Sequence, residues 1–338
     1  MIELIKISEK DKTVWNEFVL NHKDGNFFQT YDYFSLFKND SKNRAFAYGI
    51  SDGINLLGVI VGVIESNLFP PINKLTSRAI IRGGPLVKED NKDILKVLLN
   101  EFNNRIKPDC IYTQIRNLFN TADRKEIFRN AGLNYIQHLD ILIDISRDEQ
   151  SIIKDINSNR RGNIHKSINR GTLFLELTDL DAIKKGIDLI HQTYKRAKLP
   201  VPASTFFINA YTQLNQKNIL KVFGAYSENT LIGVRFELCF KEMIYDWYAG
   251  SDLNYKNRYP NDFLPYHILL WGAKNGYKVF DFGGAGKPGI PYGVREHKIK
   301  FGGELVEFGR YQSINKPSLM KLGEIGMSLY QRIKMKYE

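Results

Sequence analysis

The chain has 338 residues, 43% of them hydrophobic and 25% charged, and its formal net charge at pH 7 is +11. This composition excludes a disordered chain and favours a globular protein of two ordinary domains. The positive charge favours a polyanionic partner, namely RNA, an anionic membrane face or a phosphate-bearing substrate, but a solvated lysine-rich surface accounts for it equally well.

The chain opens with a predicted strand instead of a secretory signal, because residues 1–12 alternate and lack an apolar core. The longest apolar run, residues 56–64, has half the length of a membrane-spanning helix, and its β-branched residues predict a buried strand. Cys110 and Cys239 lie in similar apolar runs and support neither a disulfide framework nor a zinc site. We therefore expect a cytoplasmic protein without a metal site.

Two segments share a pattern of strand, short polar turn and second strand. The first covers residues 46–60 and the second residues 222–234, and each second strand opens with an apolar-Gly-Val step. Each segment is followed by a further strand, a helix and another strand. The predicted helices and last strands cover residues 93–106, 110–116, 262–275 and 277–282. This repetition predicts an α/β protein of two domains with similar topology and mixed sheets.

We place the domain boundary after the predicted strand at residues 141–145. The first domain then covers residues 1–145 and the second residues 146–315. Ser146 and Glu149 match a capping box for a helix that opens the second domain.

The later helix is expected to start at Asp262 as its N-cap, with Pro265 in its first turn. Residues 316–338 form a predicted C-terminal amphipathic helix. Packing of this helix against its own domain is favoured over contact with a membrane surface.

Residues 152–170 are unusually basic. Isoleucines recur on one helical face, while Gly162 and several asparagines weaken the helix, which is one helix or two pieces. The charge run indicates a solvated face or an anion site. The candidate phosphate ligands are Arg160, Arg161 and Lys166, since arginine binds phosphate with two parallel hydrogen bonds.

A glycine-rich stretch, residues 280–304, places one carboxylate and one ammonium beside flexible backbone. Residues 284–289 match G-x-G-x-x-G, but Pro288 and Pro291 prevent the helix that a dinucleotide-binding loop must open. The kinase, P-loop and nucleophile-elbow motifs are also missing. The stretch therefore indicates a site of another kind.

The strand and turn Asp281-Phe282-Gly283-Gly284, followed by Lys298-x-x-Phe301-Gly302-Gly303-Glu304, resembles the C-terminal signature of the Fem family of aminoacyltransferases. Those enzymes build the interpeptide bridges of peptidoglycan. Further stretches are similar to the family in the same order, namely residues 28–30, 82–87, 160–171 and 248–251. His297 departs from the family's usual Phe. Acetyltransferases of polysaccharide-synthesis clusters share the signature and are equally compatible.

The resemblance implies two tandem domains of the GCN5-related acetyltransferase (GNAT) fold. It implies acyl transfer to an amine, with aminoacyl-tRNA as donor and a nucleotide- or lipid-linked peptidoglycan precursor as acceptor. No tightly bound cofactor is expected, tRNA is the expected partner, and peripheral contact with the inner membrane face is compatible. The first alternative is an acyl-CoA-dependent N- or O-acyltransferase acting on a cell-surface sugar. The second is a non-catalytic RNA- or membrane-binding protein.

The family match makes Lys298 the candidate catalytic residue, because an ammonium beside the carbonyl oxygen stabilises the oxyanion of acyl transfer. Asp281 either accepts or orients a proton of the amine or caps the glycine turn, and both roles remain open. Tyr248 is a candidate for lining the substrate pocket. The glycines expected to let backbone approach a ligand are Gly283, Gly284, Gly302 and Gly303. The pyrophosphate-binding glycines of acyl-CoA enzymes are missing from residues 257–262, which disfavours ordinary CoA binding.

Overall fold

A computed structural model describes residues 2–38, 40, 42–66 and 76–323. The chain divides into two compact units, the first made of residues 1–137 with 308–338 and the second of residues 138–307. Each unit is built on one mixed sheet with helices packed on it. The α/β class predicted from the sequence is therefore confirmed.

Elements are numbered in chain order. The strands of the first unit are β1 (Glu3–Lys6), β2 (Arg44–Ser51), β3 (Leu56–Glu65), β4 (Arg78–Arg82), β5 (Leu86–Val87), β6 (Tyr112–Arg116), β7 (Asn134–Ile136) and β15 (Arg310–Ile314). Its helices are α1 (Lys12–Asn21), α2 (Tyr31–Ser35), α3 (Lys92–Ile106) and α4 (Lys125–Asn130). The strand order is β1-β2-β3-β4-β6-β15-β7, with β5 on β3. All neighbours are antiparallel except β4 and β6, which are parallel.

The early aromatic segment of the first unit is tied to the end of β4. Gln29 is fully buried, and its Nε2 donates to the carbonyl oxygens of Gly83 at 2.7 Å and Gly84 at 3.0 Å. Arg82 Nη1 donates to the Tyr33 hydroxyl at 3.0 Å. Two stretches that are 50 residues apart in sequence thus form one hydrogen-bonded junction, which satisfies buried carbonyls at the strand end.

The strands of the second unit are β8 (Asp140–Asp144), β9 (Thr172–Glu176), β10 (Leu220–Ser227), β11 (Thr230–Phe240), β12 (Met243–Ser251), β13 (Val279–Asp281) and β14 (Glu304–Val306). Its helices are α5 (Glu149–Asp155), α6 (Ser158–Asn169), α7 (Leu180–Arg196), α8 (Ser204–Leu214), α9 (Pro260–Lys274) and α10 (Gly293–Lys298). The strand order is β14-β8-β13-β12-β11-β10-β9, and only β12 and β13 are parallel.

Helices cover both faces of the second sheet. A Cβ on Gly233 would meet Pro260 and Leu264 of α9, whereas Val234 packs against Gly186 of α7. Because consecutive strand residues point to opposite faces, α9 and α7 lie on opposite sides. Close helix packing on each side leaves the strand ends as the open part of this sheet.

The domain boundary differs from the predicted one at both ends. Strand β8, expected to end the first domain, pairs with β13 and β14 in the second sheet, and Ile141 and Ile143 lie in its core. Strand β15 returns to the first sheet beside β6. The predicted boundary was wrong because the pairing of both strands is long-range.

The helix starts also differ from those predicted. Asp148, not Ser146, caps α5 by accepting from the Ser151 amide. Helix α9 begins at Pro260 after Tyr259, so Pro265 lies inside the helix. The basic segment forms two helices, α5 and α6.

Residues 317–323 of the predicted C-terminal helix are helical, and residues 324–338 lie outside the described part of the chain. Among the described residues, no helix combines the length and the apolar character needed to cross a membrane.

Candidate active site

The second sheet opens where its two parallel strands stop pairing. Only residues 243–245 of β12 pair with β13, and the last pair joins Tyr245 and Asp281. Strand β12 continues to Ser251. On its other edge the register with β11 shifts, so that Trp247 is an extra residue between two ladder pairs. One edge of residues 246–251 is therefore left beside the end of β13, the part of an α/β sheet that receives ligands.

Lys298, the last residue of α10, reaches this opening. Its Nζ donates to the carbonyl oxygen of Phe282 and lies 5.2 Å from the centroid of the Phe282 ring. Gly283 adopts a φ of 78°, and a Cβ there would lie 3.6 Å from the Lys298 Nζ. The structure thus brings Lys298 and the first glycine turn together.

Charged side chains of β11 and β12 surround the same ring. Arg235 Nη1 lies 2.5 Å from Asp246 Oδ1, and the guanidinium carbon lies 5.3 Å from the Phe282 centroid. Both members of this ion pair are almost completely buried. Because a buried pair is costly to separate, we expect it to fix the two strands beside the opening.

Glu237 is buried next to that ion pair. Neither carboxyl oxygen has a hydrogen-bond partner among the described residues. Burial, and then the charge of Asp246, raises the pKa of Glu237 well above its ordinary value, while Arg235 and Lys298 act in the opposite direction. Burial therefore favours the neutral form of Glu237.

Asp281 ends β13 and closes the glycine turn. Its Oδ1 accepts from the Gly283 amide at 2.8 Å, and the residue is only 2% exposed. Burial and the neighbouring carboxyl of Asp140 raise the pKa of Asp281. The observed contact is the turn cap, one of the two roles left open by the sequence.

A cleft of about 320 Å³ lies at the start of α9. Asp262, in the first helical turn, accepts from Arg160 Nη1 at 2.6 Å and from Asn163 Nδ2 at 2.7 Å. His297 also lines the cleft, and burial followed by the charge of Arg160 lowers its pKa to about 4. The remaining lining residues are Ser251, Asp252, Leu253, Lys256, Tyr259, Pro260 and Asn261.

Two of the candidate phosphate ligands lie away from this cleft. Arg161 Nη1 donates to the carbonyl oxygens of Lys154, at 2.9 Å, and Ile156. It therefore satisfies the C-terminal end of α5. Lys166 is exposed on α6. Only Arg160 of the three lines the cleft.

Tyr248 and the second glycine turn have packing contacts. Tyr248 stacks edge-on against Phe207, with ring centroids 4.8 Å apart. Gly302 has a φ of 88°, and its Cβ would lie 2.6 Å from Asp155 Cβ. A Cβ on Gly303 would lie 2.6 Å from Ile141 Cγ2. These two glycines permit close packing, whereas Gly284 is exposed in the first turn.

Residues 158–298, which contain α6, β12, α9 and Lys298, match the family model described as an acetyltransferase (GNAT) domain. This chain is an acyltransferase of the GNAT fold. No curated protein shows a significant match to the whole sequence of this acyltransferase.

Solved structures extend the likeness beyond that segment. FemX has a TM-score of 0.73 at 15% identity, over 95% of this chain and 99% of that one. A tandem GNAT protein from the clavulanic acid biosynthesis pathway has a TM-score of 0.58 at 8% identity, over 93% and 99%. L-PGS from Bacillus licheniformis has a TM-score of 0.56 at 15% identity, over 84% of this chain and 87% of that one. The predicted tandem GNAT fold and its resemblance to Fem proteins are thereby confirmed at the level of the fold.

Sequence reasoning missed several residues of the candidate site. Arg235 and Glu237 lie in the otherwise apolar run Leu231–Phe240, and two charges at alternate positions of a buried strand are a usable signal. Asn163 gave no signal, because its role depends on the spatial position of Asp262. Among the described residues, no group of three His, Cys, Asp or Glu side chains is arranged to hold a metal ion.

Proposed function

We propose that this acyltransferase moves an aminoacyl group from aminoacyl-tRNA to an amine of a nucleotide- or lipid-linked peptidoglycan precursor. Acyl transfer follows from the family match, and the Fem-like motifs together with the FemX fold over nearly the whole chain support the finer assignment. The protein would work in the cytoplasm, in peripheral contact with the membrane when its acceptor is lipid-linked.

The start of α9 is the observation that carries the choice of donor. A helix N-terminus binds phosphate through free backbone N–H groups and its dipole, and acyl-CoA enzymes use this position for pyrophosphate. Here Pro260 removes one N–H group, and the carboxylate of Asp262 already occupies the first turn. With one N–H group missing and Arg160 already paired with Asp262, this helix start offers a CoA pyrophosphate fewer donors, which supports a donor other than CoA.

The proposed reaction places the ester carbonyl of the donor beside Lys298. The acceptor nitrogen attacks the carbonyl carbon, and the ammonium of Lys298 stabilises the resulting oxyanion. One such donor contributes about 3 kcal/mol in measured cases. The C–O bond to the tRNA ribose then breaks, and the released ribose oxygen takes the proton lost by the amine. The Phe282 carbonyl holds Lys298 in place for this role.

Arg160 would face the donor from the cleft, and the exposed Lys166 would attract its backbone phosphates. Arg161, whose guanidinium is held by backbone carbonyls, would act by fixing α5 beside the cleft. Tyr248 would border the acceptor side of the opening, in the part of β12 that continues beyond its pairing with β13.

A second candidate is acyl-CoA-dependent N- or O-acylation of a cell-surface sugar. It is favoured by the acetyltransferase description of the matching family. It predicts a CoA complex at the start of α9 despite the Asp262 carboxylate.

The decisive experiment combines each donor with each acceptor. Purified protein is incubated with a mixture of aminoacyl-tRNAs or with acetyl-CoA, in the presence of nucleotide-linked or lipid-linked muropeptide, and product masses are measured. A mass gain of one amino-acid residue with aminoacyl-tRNA is expected. A gain seen only with acetyl-CoA would overturn the proposed donor, and a folded protein inactive with every pair would overturn the proposed reaction.

A further inference from the structure

A loop close to Lys298 exposes apolar side chains to solvent. It leads from the first glycine turn into α10, and its residues 290–294, Ile-Pro-Tyr-Gly-Val, include no charged residue. All five are exposed, and Ile290, Tyr292 and Val294 are 55%, 40% and 44% exposed. Single exposed apolar residues are common on proteins, whereas a consecutive exposed run indicates contact with another surface. We call residues 290–294 the apolar loop.

The backbone around the apolar loop is held by one side chain. Arg295 Nη1 donates to the carbonyl oxygens of Ala285, at 3.2 Å, and Lys287, at 2.8 Å, and its Nη2 donates to that of Ile290. These bonds satisfy backbone carbonyls and leave the apolar side chains exposed. Because the loop is already ordered, binding through it costs little conformational entropy.

Cations flank the apolar loop. The segment from residue 287 to residue 300 carries four cations and one carboxylate, a formal charge of +3 with its histidine neutral. These charged residues are Lys287, Arg295, Glu296, Lys298 and Lys300. Aliphatic side chains with a tyrosine and flanking cations are typical of segments that lie in the interface of an anionic bilayer. The apolar groups enter the headgroup region there, and the cations attract lipid phosphates.

The apolar loop lies next to the proposed chemistry. Val294 and Lys298 are four residues apart in α10, so their Cβ atoms lie within about 6 Å of each other on one face of the helix. A surface that receives the loop therefore lies beside the Lys298 ammonium. An acceptor whose lipid stays in the bilayer needs such a contact to present its amine to the site.

We propose that the apolar loop is the surface through which this protein docks on a membrane containing anionic lipid, with Ile290 and Val294 entering the bilayer interface. The choice of a membrane rests on the lipid-linked acceptor of the proposed function. Vesicle binding is measured without turnover, so the two proposals fail separately. A protein that transfers no acyl group can still dock, and one that does not dock can still acylate a nucleotide-linked acceptor.

The test is sedimentation of the full chain with vesicles of phosphatidylcholine and phosphatidylglycerol at constant ionic strength. Ile290→Ser should weaken binding by about tenfold, because it removes one inserted aliphatic side chain without changing the charge. Ile54→Ser is the matched control, since Ile54 is 91% exposed between β2 and β3 of the first unit, and it should change binding by about twofold at most. Val294→Ser gives a second measurement on the same loop.

A wild-type chain that does not sediment with these vesicles would overturn the docking surface. Equal weakening by Ile290→Ser and Ile54→Ser would reduce the effect to general apolar adhesion and overturn it as well. Equal binding to phosphatidylcholine alone would overturn the role of anionic lipid.

Turnover separates contact with the membrane from contact with the substrates. Ile290→Ser should keep the wild-type rate with a nucleotide-linked acceptor and lose about tenfold with a lipid-linked acceptor in vesicles. Equal loss with both acceptors would make the loop part of the substrate site and overturn docking on a membrane.

Discussion

The two units share a succession of three antiparallel strands, a helix and a strand parallel to the third, but they end their parallel strand pairs differently. In the first unit, β4 and β6 pair along their full length, residues 78–82 with 112–116. In the second, β12 pairs with β13 over three residues and then continues to Ser251. The glycine turn and Lys298 lie where this second pairing ends. The candidate active site thus lies where the parallel pair ends early.

The charges on the two sheets differ as well. In the second unit Arg235 is paired with Asp246, and burial raises the pKa of Glu237 beside them. In the first unit the carboxylate of Glu65 accepts from both Arg82 and Arg78. One carboxylate thus accepts from two arginines on the first sheet, whereas Asp246 and Arg235 pair one to one on the second.

The largest expected effect is loss of turnover on removal of the Lys298 ammonium. If the catalytic site lies where the pairing of β12 with β13 ends, Lys298→Ala should lower kcat by about 10²- to 10³-fold, the cost of losing one oxyanion donor. Lys300→Ala is the matched control, since Lys300 is exposed two residues away. Single-turnover rates with the active donor provide the measurement. Full activity in Lys298→Ala would place the chemistry elsewhere.

The hydrogen-bonded junction between Gln29 and the end of β4 gives the next largest effect, which is on stability. Gln29→Ala removes the side-chain donor of the buried Gly84 carbonyl and leaves the Gly83 carbonyl with only the longer bond from Asn26 Nδ2 at 3.3 Å, so we expect a loss of about 3 kcal/mol. Asn104→Ala, on the exposed face of α3, is the control and should change stability by about 0.5 kcal/mol at most. Urea unfolding measures both. An unchanged midpoint in Gln29→Ala would show that this junction does not stabilise the first unit.

Local patterns predicted most of the fold. The hairpins and the helices at residues 93–106 and 262–275 follow from periodicity, and the structure places the two helices within two residues of those bounds. The boundary at residue 145 failed because β8 finds its partners more than 100 residues downstream. Local sequence does not encode such pairing.

The site was predictable where the residues are close in sequence. Lys298 and Gly283 are 15 residues apart and meet across one turn. The Arg235–Asp246 pair depends on the register of two strands, including the shift at Glu237. Arg161 was predicted to bind phosphate because the sequence does not show where α5 ends. The backbone carbonyls at that end accept from its guanidinium.

Acidification should destabilise the second unit through two histidines. Burial lowers the pKa of His267 to about 4, and it lowers the pKa of His297 to about 4 as well. The unfolded chain takes up protons first as the pH falls, so the stability from each neutral histidine is complete above pH 6.5 and is lost towards pH 4.

His267→Phe should remove one of these contributions, on the order of 1–2 kcal/mol between pH 7 and pH 5. Its ring stacks on Phe174, so phenylalanine keeps the packing. His165→Gln, at an exposed position, is the control. Unfolding at both pH values is the measurement, and an unchanged pH dependence in His267→Phe would contradict the neutral buried histidine.

Glu237→Gln should show the opposite pH dependence. Because the pKa of Glu237 is raised in the folded protein, its contribution to stability is complete below pH 4.5 and is lost as the pH rises. Glutamine has the same shape and carries no charge, so the variant should match the wild type near pH 4.5 and exceed it at pH 8. Glu242→Gln, in an exposed ion pair with Lys278, controls for the charge removed.

The reverse result would change the interpretation of the second unit. If Glu237→Gln loses more stability at pH 8 than at pH 5, Glu237 is ionised in the folded protein and acts as a counter-charge for Lys298. The cluster would then hold two carboxylates, Glu237 and Asp246, against Arg235 and Lys298. A more strongly held ammonium is a weaker oxyanion partner, and Glu237→Gln would then raise kcat while Lys298→Ala still lowers it. Measuring stability and kcat on Glu237→Gln therefore decides whether the Lys298 ammonium is paired with an ionised Glu237.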